Sequence, residues 1–341
     1  MLKLQKSRLN EMFAAIAADA VLYLPVDVEN GGARYEAWKD GAVLSGALNT
    51  RRSAKDFFFP QTEDLVKFKV DGQNIEVIDP RKPSDDFVIF GVRACDAASF
   101  NVLDKVFLSD PVDSYYEERR KHGVIMTLSC TAPEESCFCH SFGIDPTAPG
   151  GDVSCWMDDE CLYLEAVTEK GRALTEKLSG LLEKSDDKAV KTLNEKTNAI
   201  MDKLPLHELR PADFTKEQLE VFKSPKWAKL SEACLGCGSC TFVCPTCQCY
   251  DIKDFDTGHG VVRMRTWDSC MYSEFTRMSA GNPRLTQLER FRQRFMHKLV
   301  YFPMNNDGTY GCVGCGRCLR KCPISMNIVK VMKALGGNGN D

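Results

Sequence analysis

Cysteine is the most informative residue type in this sequence. There are 17 cysteines among 341 residues, an odd number, and most of them stand in tight groups. A thiolate is a strong ligand for soft metal ions and for iron–sulfur clusters. A chain of this length does not need disulfides to stabilise its core. The grouping therefore predicts metal–thiolate sites rather than a disulfide framework.

Two copies of the spacing C-x2-C-x2-C-x3-C-P stand in the second half of the chain. The first runs from Cys234 to Pro245 and the second from Cys312 to Pro323, with every cysteine and the proline in register. In two-cluster ferredoxins the first three cysteines of such a run bind one [4Fe–4S] cluster and the fourth binds the other cluster. The glycines between the cysteines let backbone N–H groups approach the sulfur atoms.

This rule assigns four cysteines to each of two clusters. The predicted ligands of site 1 are Cys234, Cys237, Cys240 and Cys322. The predicted ligands of site 2 are Cys312, Cys315, Cys318 and Cys244. A pair of zinc sites is the alternative, but zinc usually takes two separated C-x2-C pairs, so the doubled motif favours iron–sulfur clusters.

A further group of cysteines follows two apolar segments in the first half of the chain. Residues 86–92 and 123–128 predict buried strands; Cys95 follows the first, Cys130 follows the second, and a C-x-C pair lies in the next loop. If the strands are parallel neighbours, Cys95 and Cys130 leave the same edge of the sheet. Buried structural cysteine is the alternative to a metal site here. The predicted ligands of site 3, a third cluster, are Cys95, Cys130, Cys137 and Cys139.

The remaining cysteines form an incomplete set and a pair. The incomplete set, site 4, is Cys247, Cys249 and Cys270. A carboxylate, His259 or a cysteine of another set would complete a fourth cluster, and a packing role is an equal alternative. Cys155 and Cys161 match no ligand spacing, so we interpret them as structural.

Strand-like and helix-like segments alternate through the first part of the chain. We predict an α/β or α+β domain over residues 1–165, a helical linker region over 166–230, and a helical, ferredoxin-like domain with two [4Fe–4S] clusters over 231–335. Residues 1–26 predict an amphipathic helix and a strand, not an export signal. No run approaches the ~18 uncharged apolar residues of a membrane span, and free thiols favour the cytoplasm.

Charge limits the classes of partner. The chain carries 44 Lys and Arg against 48 Asp and Glu, which argues against general nucleic-acid binding. Seven arginines crowd the segment between the two motifs: Arg263, Arg265, Arg277, Arg284, Arg290, Arg292 and Arg294. A solvated helix face is the favoured interpretation. The alternatives are a docking strip for an acidic partner and positive charge that favours the reduced state of a cluster.

The motifs resemble, in type and order, those of a known family of iron–sulfur proteins. The matching segments are residues 93–96, 137–139, 234–250, 267–270 and 312–323. The family comprises the iron–sulfur electron-transfer subunit of anaerobic sulfite reductase, subunit beta of sulfhydrogenases and related subunits of heterodisulfide-reductase-linked complexes. The resemblance implies a relay between a reductase that binds flavin and NAD(P) and a catalytic subunit of the hydrogenase, sulfite reductase or heterodisulfide reductase type.

Two functions are compatible with these patterns. Neither a G-x-G-x-x-G nor a G-x-x-x-x-G-K-[ST] motif occurs, which favours placing the flavin on another chain. The prediction is an electron-transfer subunit of an anaerobic oxidoreductase complex, with no catalytic residue of its own. The alternative is a flavin-bearing iron–sulfur oxidoreductase whose active site lies in the N-terminal domain.

Overall fold

Strands and helices alternate in the first half of the chain, and short helices prevail in the second. The computed structural model describes residues 1–82, 84–211 and 218–336. The first elements are β1 (Leu2–Gln5), α1 (Leu9–Ala17), β2 (Val21–Asp27), β3 (Ala33–Ala37), α2 (Lys55–Phe58), β4 (Thr62–Asp71), β5 (Asn74–Ile78), β6 (Phe87–Val92), α3 (Ala94–Phe107), α4 (Ser114–His122), β7 (Gly123–Leu128), β8 (Val153–Met157) and β9 (Cys161–Ala166). The later elements are α5 (Glu169–Lys177), β10 (Glu183–Lys184), α6 (Lys188–Met201), α7 (Gln218–Lys223), α8 (Lys226–Glu232), α9 (Ser239–Phe242), β11 (Tyr250–Asp256), β12 (Gly260–Trp267), α10 (Gln287–Met296), α11 (Phe302–Asn305), α12 (Arg317–Lys321) and α13 (Ile328–Leu335).

A mixed eight-stranded sheet organises the first half of the chain. Its strand order is β10-β1-β9-β8-β7-β6-β2-β3, and the central strands β2, β6, β7 and β8 are parallel. Helix α1 packs on one face, and helices α2 and α3 contribute to the core on the other. Because both faces are covered, β6 and most of β7 are buried, which explains their continuous apolar sequences. The predicted parallel pairing of residues 86–92 with 123–128 is confirmed.

A second, antiparallel sheet joins the two halves of the chain. Its strand order is β11-β12-β4-β5, so the hairpin β11–β12, which lies between the two cysteine motifs, pairs with a strand of the first half. Arg265 of β12 is buried, donates to Glu63 at 2.9 Å and forms an ion pair with Asp113. Hydrogen bonds and a buried ion pair therefore fix this hairpin against residues about two hundred positions earlier.

The helices of the second half are short and pack around α10. That helix begins with a capping box formed by Thr286 and Glu289 and continues into a π-helical turn at His297–Tyr301. Its buried aromatic residues Phe291 and Phe295 pack with Trp227 of α8 and with α13. Within the described ranges, every helix is too short or too polar to cross a lipid bilayer.

The loop that carries Cys137 and Cys139 lies directly against the second cysteine motif. The Phe138 amide donates to the Gly314 carbonyl at 3.1 Å. A Cβ added to Gly314 would lie 2.3 Å from the Phe138 carbonyl oxygen, and the φ of Gly314 is +60°. Only glycine combines this backbone conformation with so close an approach, so this position is needed for the loop and the motif to meet.

We expect Gly314→Ala to lower the free energy of unfolding by about 3 kcal/mol, because it adds a backbone clash to the cost of a positive φ. Gly308→Ala is the matched control, since Gly308 has a φ of +76° and nothing within 4 Å of an added Cβ. The control is expected to lose only about 1 kcal/mol. Urea denaturation under anoxia, followed by circular dichroism, measures both values. Equal losses in the two variants would contradict the proposed role of close approach.

Candidate metal centres

The cysteines predicted for site 1 line one cavity. Cys234 and Cys237 lie in the loop before α9, Cys240 lies on α9, and Cys322 follows α12; all four border the same space. The Gln287 side chain of α10 donates to Cys234 Sγ at 3.3 Å. Among the cysteines, all of which lie in the described ranges, Cys237 alone is exposed. Site 1 therefore reaches the protein surface.

The cysteines predicted for site 2 lie close together and are partly buried. Burial raises the pKa of the Cys312 thiol to about 12 and raises the pKa of Cys315 and Cys318, and a charge on Cys244 contributes to each of these shifts. Cys244 thus lies within electrostatic range of the other three. In both sites, therefore, the fourth cysteine of one motif lies near the first three cysteines of the other motif. That each group of four cysteines binds a cluster remains a prediction.

Site 3 forms where β6 and β7 end. Cys95 lies in the first turn of α3 after β6, Cys130 follows β7, and the loop cysteines close the cavity. The four buried thiols that border it are those of Cys95, Cys130, Cys137 and Cys139. Burial raises the pKa of Cys130 to about 11 and that of Cys139 to about 12. Such thiols become thiolates when they coordinate a metal, because the metal displaces the proton.

Sites 2 and 3 share a wall. Cys315, a predicted ligand of site 2, and Gly314 beside it also line the cavity of site 3. The Glu134 amide donates to Cys137 Sγ at 3.4 Å on the loop that closes this cavity. The two sites are therefore neighbours, which the sequence alone did not indicate.

Site 4 lies beside site 2. Cys247, Cys249 and Cys270 border a cavity together with Arg294 and Lys298. A hydrogen bond from Cys270 lowers the pKa of Cys249 to about 7, and a hydrogen bond to Cys244 raises the pKa of Cys247. Three thiols are thus brought together, and the thiol next to them, Cys244, belongs to the set of site 2.

The suggestion that His259 completes site 4 is wrong. His259 is exposed in the turn between β11 and β12 and does not line the cavity. The pairing of this hairpin with β4 carries the turn away from the cysteines. Cys155 and Cys161 lie buried in β8 and β9 and line none of the cysteine cavities described above.

The donor chemistry of these sites fits iron–sulfur clusters. Each cavity is bordered by cysteine sulfur, and donors from Gln287, Glu134 and Lys298 are directed at sulfur atoms. Hydrogen bonds to sulfur are a usual means of setting the potential of a cluster. In the part of the chain that the structure describes, no three His, Cys, Asp or Glu side chains converge on a point that would hold a single metal ion. A cubane spreads its four cysteines over four iron atoms, so it requires an enclosed space between the thiols.

A buried ion pair between Arg317 and Asp96 joins sites 2 and 3. Arg317 is 2% exposed and Asp96 is 1% exposed, and Nη2 of the guanidinium lies 2.6 Å from Oδ2 of the carboxylate. Asp96 directly follows Cys95, and Arg317 lies between Cys315 and Cys318. Sequence reasoning missed this pair. The signal that could have identified it is that each of the two charged residues is adjacent to a predicted cysteine ligand.

The expectation of a solvated helix face is wrong in part, because two of the seven arginines are buried and because Arg263 and Arg265 lie on strand β12 rather than on a helix. Arg263 and Arg277 form exposed ion pairs with neighbouring carboxylates, as expected for solvated residues. Arg265 is buried against Glu63, and Arg294 is 3% exposed beside the cysteines. Burial lowers the pKa of Arg294. Nearby thiolates have the opposite and larger effect, so the pKa lies above its usual value; they are those of Cys240, Cys318, Cys247 and Cys244.

Lys298 is a second buried cation that the sequence analysis overlooked. Phe291, Arg294, Phe295, Lys298 and Leu299 are all buried and follow the three- and four-residue spacing of one helix face. Two cations thus occupy positions where apolar residues are expected, which is the signal that could have identified them. Burial lowers the pKa of Lys298, but nearby Cys244, Cys247 and Cys312 thiolates outweigh it and raise the pKa above its usual value.

Comparison with known proteins identifies the family. A family model described as a 4Fe-4S dicluster domain matches residues 233–326, the region that contains both cysteine motifs. Sulfhydrogenase 2 subunit beta of Pyrococcus furiosus is 35% identical over 280 residues, which cover 81% of this chain and 80% of that protein. No solved structure matches the chain. The chain therefore belongs to the family of iron–sulfur electron-transfer subunits that includes sulfhydrogenase subunit beta.

Proposed function

We propose that this subunit carries single electrons in the cytoplasm through [4Fe–4S] clusters at sites 1, 2 and 3, between two partner subunits of an anaerobic oxidoreductase complex. The observation that carries the proposal is the shared wall between sites 2 and 3, where Cys315 borders both. Electron transfer weakens steeply with distance, so redox centres in series must be neighbours. The proximity of cysteines from the two motifs supports neighbouring positions for sites 1 and 2 as well.

The residues of the chain hold the clusters and control their surroundings. A cluster, when bound, supplies a one-electron redox couple. The thiolates fix its position, the buried thiols of site 3 limit the access of water there, and donors such as Gln287 and Lys298 act on the sulfur atoms. These are the means by which a protein sets a cluster potential. No acid, base or nucleophile is required of the chain.

Site 1 is the proposed point of exchange with a partner. Cys237 is exposed, and the neighbouring Leu235 is 67% exposed. An exposed apolar residue next to a redox centre suits contact with another protein. The related protein is named as a sulfhydrogenase subunit, so we infer a hydrogenase-type catalytic partner for this chain and a flavin- and NAD(P)-binding reductase as the second partner. Sulfite reductase and heterodisulfide reductase partners are the alternatives.

We expect Cys237→Ala to remove the cluster of site 1, because the substitution deletes one of its four ligands. The iron content should fall by about four atoms per chain, and electron flux through the reconstituted complex should be lost. Cys161→Ala is the control, since Cys161 is buried outside the cysteine cavities. Iron and acid-labile sulfide analysis under anoxia measures the first effect. Full flux in Cys237→Ala would contradict the relay through site 1.

Cys139→Ala tests site 3 in the same way. The variant should lose about four iron atoms, and the double variant with Cys237→Ala about eight, because the two cavities do not share these ligands. The unaltered chain should contain about twelve iron atoms for three clusters, or about sixteen if site 4 also holds one. An unchanged iron content in Cys139→Ala would show that the site 3 cysteines have a structural role in the core and bind no cluster.

The chain purified alone should carry no flavin. We expect anaerobic preparations, after desalting, to show broad iron–sulfur absorbance without a flavin band, because the proposed flavin belongs to a partner subunit. Released flavin is measured by fluorescence after acid precipitation. The protein reconstituted with its reductase partner serves as the positive control. A stoichiometric flavin in the isolated chain would favour the flavin-bearing oxidoreductase instead.

A further inference from the structure

Lys298 places a fully coordinated ammonium group against a predicted cluster ligand. The side chain is 6% exposed, and its Nζ lies 3.4 Å from Cys244 Sγ, 2.9 Å from Thr246 Oγ1 and 2.8 Å from the Gly311 carbonyl oxygen. An ammonium group has three N–H donors, and each has one acceptor here. The hydroxyl of Thr246 donates to the same Gly311 carbonyl at 2.7 Å, which holds the acceptors in place. The charge is therefore fixed in position.

The charge of Lys298 has no carboxylate counterpart. Across the described ranges, no ion pair joins Lys298 to Asp or Glu, and the anionic groups beside it are cysteine sulfurs. Among the described residues, Arg294, one turn earlier, is likewise buried without a carboxylate partner, and its Nε has no hydrogen-bond partner there. Burying an unpaired cation is costly, so negative charge on the cysteines must compensate for it.

Site 3 has a different electrostatic environment. Arg317, near its cavity, is neutralised by the Asp96 carboxylate in a two-contact ion pair, whereas Arg93, which lines the cavity, donates to the backbone carbonyls of Leu48 and Ser129. Site 2 adjoins this neutral pair through Cys315 but also contacts the uncompensated charge of Lys298 through Cys244. Cations thus lie beside both sites, and at site 2 an ammonium group contacts the sulfur of a predicted ligand, Cys244.

We propose that Lys298 is a positioning residue that raises the reduction potential of the cluster at site 2. Reduction adds one negative charge to a cluster, and a positive charge held against its ligand stabilises the reduced form more than the oxidised form. This inference rests on the proposed function, because it requires a cluster at site 2.

The test is a redox titration of the full-length chain, followed by electron paramagnetic resonance under anoxia. The site 2 signal is the one that both Cys237→Ala and Cys139→Ala retain and that Cys312→Ala removes. Lys298→Gln keeps an N–H donor and removes the charge, and it should shift the reduction equilibrium of site 2 at least tenfold toward the oxidised form. For a one-electron couple that shift is about 59 mV. Lys298→Met is a second neutral variant in case glutamine does not fit.

Two controls separate charge from structure. Lys298→Arg keeps the charge and should change the equilibrium less than threefold. Lys330→Met removes the same charge from an exposed position of α13 and should leave every signal unchanged.

Each remaining outcome counts against the inference. Unshifted potentials in a neutral variant that retains full iron overturn the role of Lys298 and leave the relay intact. Loss of the site 2 cluster in both neutral variants, but not in Lys298→Arg, assigns Lys298 a structural role and also overturns it. Absence of iron and sulfide from the unaltered chain overturns the relay together with this inference.

Discussion

The buried ion pair between Arg317 and Asp96 is the contact on which the arrangement of the cysteines depends. Asp96 lies in the first turn of α3, just after the carboxyl end of strand β6. Arg317 lies in the first turn of α12, inside the second motif. Removing one partner of such a pair costs about 3–5 kcal/mol, because the other charge is left buried and unpaired. Since each partner is adjacent in sequence to a predicted ligand, the pair fixes sites 2 and 3 as neighbours.

Backbone geometry reinforces this contact. Gly314 allows the loop of Phe138 to approach the second motif, and a Cβ added to Gly316 would lie 2.6 Å from the Ser136 carbonyl oxygen. The antiparallel sheet adds a further connection through β12 and β4. The region between the two motifs is therefore joined to the first half of the chain at several points, and relative motion of the cluster sites is restricted.

The sequence predicted the local features well and the long-range ones poorly. The doubled motif defined two cysteine sets by spacing alone, and the apolar runs at residues 86–92 and 123–128 predicted a parallel pair that is confirmed. The hairpin β11–β12 was missed because β11 is largely exposed and charged, and because the partner of β12, strand β4, lies far away in sequence. Arg294 was predicted to be solvated, and Lys298 was overlooked. Sequence reasoning assigns arginine and lysine to the solvent-exposed surface unless an anion is known to lie nearby.

The two copies of the motif have the same spacing but opposite environments, and this difference gives the relay its asymmetry. The second cysteine of the first copy, Cys237, is exposed, whereas its counterpart in the second copy, Cys315, borders the interior site 3. Helix α10 and the π-helical turn after it come from the segment between the copies, and they supply the buried cations. A repeated cysteine spacing thus lies at the surface in one copy and beside site 3 in the other, because the surrounding residues, not the cysteines, differ.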